Sequence, residues 1–73
     1  KGYYEKASVF LKKAIEISPD FPLAHLYLGI VLSMMGRNFD AVGELKKVVK
    51  LDPGSEMAET AKKIIEKIKK NIR

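Results

Sequence analysis

The chain has 73 residues, of which 47% are hydrophobic and 32% charged, with no cysteine, one histidine and a net charge of +5. That is one globular domain at most, and a marginal one, because a chain of this size buries only about 60% of the surface its unfolded form exposes. The cysteine and histidine counts exclude disulfide staples, thiolate-held zinc and a multi-histidine metal cluster, so neither a metal nor a cofactor is expected.

The opening Lys1-Gly2-Tyr3-Tyr4 lacks the layout of a signal peptide and reads as a boundary inside a longer protein. A first helix is expected from about Tyr4 to Ile17. Ala7, Phe10, Leu11, Ala14 and Ile15 form its apolar stripe, and Lys12, Lys13 and Glu16 face away. Ser18-Pro19-Asp20 breaks it. A second helix opens near Pro22, where proline suits the first turn, and runs to Gly36, a helix-stopping residue. From Phe21 to Gly36 no charged side chain occurs apart from His25. The run is shorter than the ~20 residues that cross a bilayer, and Pro22, His25 and Gly29 interrupt it, so it reads as a buried helix. Asn38 is placed to cap a third helix reaching about Leu51, which Asp52-Pro53-Gly54 ends. Ser55 is placed to cap a fourth, from Glu56 to Asn71. No window alternates with the period of a strand, so the fold class is all-α with four helices.

The sequence repeats itself at a spacing of 34 residues. Gly2 falls on Gly36, Ala7 on Ala41, Leu11 on Leu45, Lys12 and Lys13 on Lys46 and Lys47, and Pro19 on Pro53. Ala14 meets Val48 and Ile17 meets Leu51, both exchanges of like for like. Glycine, alanine and proline mark a turn, a close helix contact and a helix stop, so their joint return signals a repeated structural unit.

The second and third helices resemble one complete tetratricopeptide repeat (TPR). The residues that carry the resemblance are His25, Leu28-Gly29, Leu32, Ala41, Leu45, Val48 and Pro53. His25 and Leu32 stand where the family usually has aromatics. The first helix, with Ala7, Leu11, Ala14 and Pro19, resembles the second half of a preceding repeat. The fourth lacks the Leu-Gly pair and resembles the helix that closes such arrays. The resemblance implies an antiparallel helix-turn-helix solenoid fragment, divided into a half-repeat over 1–20, a complete repeat over 22–55 and a capping helix over 56–73. It also implies a repeat-packing set of Ala7, Leu11, Ala14, Leu28, Gly29, Leu32, Ala41, Leu45 and Val48.

In that family the first helix of each pair lines a concave groove where peptides bind. By position, the groove set here is Leu23, Leu26, Tyr27, Ile30, Ser33 and Met34. Family members that grip a peptide carboxylate use Lys, Arg and Asn at positions that Leu26, Tyr27 and Ile30 occupy here, so that clamp is absent. The resemblance therefore implies a protein-interaction module, a scaffold or adaptor, whose partner has an apolar face: an amphipathic helix or an extended peptide. Self-association, or contact with the rest of a longer parent protein, is the other way to cover the same surface.

Residues 62–73 carry six basic groups and one acid, and thereby the whole net charge. Their apolar stripe is Ile64, Ile65, Ile68 and Ile72. The main reading is a solvated helix face with lysines favourably placed near a helix end. The alternatives are an acidic protein partner, nucleic acid or an anionic membrane surface; no aromatic or arginine-rich platform accompanies the lysines to favour nucleic acid. Nothing supports an enzyme. There is no phosphate-binding glycine loop, no acid pair on an apolar wall, and no base near Ser8, Ser33 or Thr60.

Overall fold

A computed structural model describes residues 2–71. Four antiparallel helices follow one another: α1 (Tyr3–Ile17), α2 (Pro22–Met34), α3 (Asn38–Leu51) and α4 (Glu56–Asn71). There is no strand among the described residues. They form a flat slab of 29 × 28 × 15 Å. α2 meets all three other helices, α3 meets α2 and α4, and α1 meets only α2. Ile72 and Arg73, part of the basic C-terminal stripe, lie outside the described residues, as does Lys1.

The 34-residue period reappears in the backbone. Gly2 and Gly36 both take a left-handed φ, 78° and 80°, just ahead of α1 and α3. Ser18 (φ −134°, ψ 80°) and Asp52 (φ −144°, ψ 66°) end α1 and α3 in matching extended conformations. The prolines that follow impose this, since a residue before proline is driven out of the helical region. Each then donates its N–H back into its helix, Ser18 to Ala14 O at 2.9 Å and Asp52 to Val48 O at 3.0 Å.

Two helix ends differ from the sequence-based expectation. The second helix stops at Met34 because Gly36 itself turns the chain. Gly36 N–H donates to Ser33 O (3.0 Å) and Arg37 N–H to Leu32 O (2.9 Å), the paired bonds of a glycine-terminated helix. Asn38 does not cap α3. That place belongs to Arg37, the last residue of the preceding turn, and no side-chain cap bond forms. The helix start is supported instead by Asp40, which accepts from Arg37 Nη2 at 2.9 Å and lies at the positive end of the helix dipole. Ser55 does cap α4: its Oγ accepts the Ala58 N–H at 3.0 Å.

The core is built from Leu26, Leu28 and Leu32 of α2, Ala41, Leu45 and Val48 of α3, and Ala61 and Ile68 of α4. Gly29 sets the α2–α3 separation. A Cβ there would stand 2.6 Å from Leu45 Cγ, so only a bare backbone admits the leucine. Ala41, Leu45 and Val48 are completely buried, whereas their counterparts one period earlier, Ala7, Leu11 and Ala14, are only half-buried. The cause is position: α3 lies between α2 and α4, while α1 has a neighbour on one side. Tyr3, Phe10 and Ile17, seven residues apart on α1, are consequently 72%, 74% and 83% exposed.

Candidate protein-interaction surface

α2 carries no charged side chain other than His25, so the direction each of its residues faces decides what surface the molecule offers. The proline at its start and the Gly36 turn at its end fix its length. The contacts to α1, α3 and α4 then cover most of its circumference. What is left is a narrow stripe with the 4, 3, 4 spacing of one helical face. Tyr27 and Met34 on it are 50% and 60% exposed, and Leu23 and Ile30 are half-buried beside them.

The remaining two residues of the groove set lie off this stripe. Leu26 is 6% exposed and belongs to the core, with almost no surface free for a ligand. Ser33 is half-buried, and its hydroxyl donates to Ile30 O at 2.8 Å within its own helix. It lines a cleft of about 210 Å³ with Ile64, Lys67, Ile68 and Asn71 of α4, so polar groups border this end of the surface.

His25 is 2% exposed, and both its ring nitrogens are engaged. Nδ1 lies 2.7 Å from Glu44 Oε1 on α3, and Nε2 lies 2.7 Å from Pro19 O in the turn before α2. A carbonyl oxygen only accepts, so Nε2 carries a proton. Nδ1 faces the Glu44 carboxyl group, so both ring nitrogens are engaged by oxygen atoms of the same chain. The side chain thus fills a position inside the repeat and also ties the α1–α2 turn to α3. Glu44 was not among the residues singled out from the sequence. The available signal was that a lone imidazole in an otherwise uncharged, buried helix must find a hydrogen-bond partner. No buried side-chain polar atom is left unpartnered among the described residues.

On another side of α2, where α1 and α3 do not touch, a groove of about 550 Å³ opens. Leu28, Leu32 and Ile15 form its apolar floor. Phe39 and Gly43 stand along the α3 wall. Sequence reasoning did not pick out either residue. Among the described residues no group of acids and histidines is arranged to hold a metal ion, and no helix is long and apolar enough to cross a membrane.

Short turns, small residues at the helix crossing and a stepwise stack of antiparallel helices define this chain as a helical-hairpin repeat of the solenoid kind. A family model described as TPR repeat matches residues 1–36, across α1, the proline turn and α2. This match, together with the four-helix architecture, supports assignment of the chain to the TPR family. TPR repeats generally mediate protein–protein interaction. No curated protein and no solved structure matches the chain.

Proposed function

We propose that the chain is a protein-interaction module whose partner lays an apolar face along the α2 stripe of Leu23, Tyr27, Ile30 and Met34. The observation that carries this reading is the exposure of Tyr27 and Met34, 50% and 60%, on a helix with no charged side chain at its surface. A large aromatic and a flexible thioether are suited to an apolar partner: tyrosine supplies rigid contact area, and methionine adapts to irregular shapes. The hydrophobic residues Leu26, Tyr27 and Ile30, where carboxylate-binding family members carry Lys, Arg and Asn, favour side-chain burial over capture of a charged terminus. In this reading residues 22–55 act as the complete repeat, 1–20 as the half-repeat before it and 56–73 as the solvated closing helix.

The test uses the three methionines, Met34, Met35 and Met57, as reporters. Peptides selected from a random display library against the full chain are titrated into protein labelled at the methionine methyl groups. The expected result is a shift of the Met34 signal, and binding weakened about tenfold or more by Tyr27→Ser, the size of an anchor-residue effect. Selected peptides that bind Tyr27→Ser as tightly as the wild type overturn the assignment.

A further inference from the structure

We propose that the groove between α1 and α3 is a self-association surface, in which Phe39 of one copy seats against Gly43 of a second copy and the reverse contact forms at the same time. This surface is separate from the α2 stripe.

Phe39 is 92% exposed, more than the exposed large residues of α1. Gly43 stands one helical turn further along the same face of α3 and is itself exposed. Glycine inside a helix weakens it relative to alanine, so it needs a reason. At Gly29 the reason is internal, because Leu45 fills the space a Cβ would take. At Gly43 nothing lies within 4 Å of the Cβ position, so no group of the same chain uses the opening. The repeat framework does not ask for either residue. One period earlier, Phe39 corresponds to Glu5 and Gly43 to Val9, whereas Gly36, Ala41, Leu45 and Pro53 all return unchanged. A bulky apolar side chain and a bare, exposed stretch of helix backbone therefore sit four residues apart as a local departure from the repeat.

A second copy is the occupant that accounts for both. A two-fold axis passing between the two residues brings each Phe39 to its partner's Gly43, the isologous geometry of a symmetric dimer. The rim of the groove suits such a meeting. It carries Lys12, Arg37 and Lys47 against Glu16, Asp40 and Glu44, so two copies meet without net repulsion and no charged partner is selected. Two of these pairs are already closed within the chain, Arg37–Asp40 at 2.9 Å and Lys47–Glu44 at 3.7 Å. The other exposed apolar stripe, Tyr3, Phe10 and Ile17, is flanked on one side by Lys6 and Lys13 at the adjoining helical positions. Two copies meeting there bring like charges together.

The experiment is sedimentation velocity on the full chain across a dilution series reaching about 1 mM, the ceiling for a weak but specific contact. The wild type is expected to show a concentration-dependent dimer. Phe39→Ser and Gly43→Leu should each weaken it about tenfold or more, with helicity by circular dichroism retained, since both positions are exposed. An equimolar mixture of the two variants should associate more strongly than either alone, because the Phe39 of one still meets the Gly43 of the other. Tyr27→Ser should leave the dimer intact. A wild type that stays monomeric throughout overturns the proposal. So does a dimer insensitive to both substitutions, a mixture no stronger than its components, or a dimer abolished by Tyr27→Ser.

Discussion

Replacing Gly29 with alanine tests the close approach of α2 and α3 directly. The new methyl carbon would lie 2.6 Å from Leu45 Cγ and 2.7 Å from its Cδ2, whereas carbon atoms rest at about 3.5–4.0 Å. Roughly 1 Å of movement is needed. Leu45 is completely buried, and the atom in the way is its branch carbon, not its tip, so a rotamer change does not clear the space. The helices must separate, and overpacking of this kind costs about 1–3 kcal/mol. Because the obstruction is central, the upper part of that range applies. Against it stands a gain of about 1 kcal/mol from replacing glycine in a helix interior. The net loss is about 1–2 kcal/mol, which for a domain of this size lowers Tm by roughly 5–15 °C. Gly43→Ala is the internal control, the same chemical change where the Cβ meets nothing. It should raise stability by about 0.5–1 kcal/mol. Thermal melts of both variants by far-UV circular dichroism, in dilute solution, give the comparison. Shifts of the same sign would refute the argument, since helix propensity alone would then account for both.

Removing the His25 side chain with His25→Ala strands Glu44 Oε1 and Pro19 O. It should cost about 2–3 kcal/mol, read as a lower urea midpoint. The double variant with Glu44→Ala should lose less than the sum of the two single losses; full additivity would mean that the pair is not coupled. Ser55→Ala removes the cap bond to Ala58 and should lower stability by about 1 kcal/mol, with faster amide exchange confined to the first turn of α4. Tyr27→Ser should change stability by less than about 1 kcal/mol, as expected at a half-exposed position. A larger loss would place Tyr27 in the core and remove it from the binding surface.

Most of the architecture was legible in the sequence because the same steric demands recur one period apart. Proline at 19 and 53 restricts the backbone, and glycine at 2 and 36 permits a left-handed turn that other residues rarely adopt, so their recurrence translates directly into recurring turns. The missed cap at Asn38 came from applying the preference for asparagine at helix starts without seeing that Gly36 and Arg37 already complete the turn. Leu26 shows the limit of the spacing argument on α2. When almost every residue of a helix is apolar, periodicity cannot rank its faces, and the number of neighbouring helices decides which are covered. Phe39 and Gly43 were invisible to a reading built on recurrence, because their peculiarity is that they do not recur. Glu44 was hidden for a related reason: its counterpart one period earlier is Phe10, so nothing in the repeat marked it as the acceptor for His25.

The pattern of neighbours has a mechanical consequence. α1 touches only α2, and α4 touches only α2 and α3, so the two outer helices make no contact with each other. Whatever happens at one edge of the slab becomes known at the far edge only if α2 relays it, and α2 is also the helix that offers the Tyr27–Met34 stripe. A partner seated on that stripe, as proposed above, would therefore bear on the one helix that both ends contact.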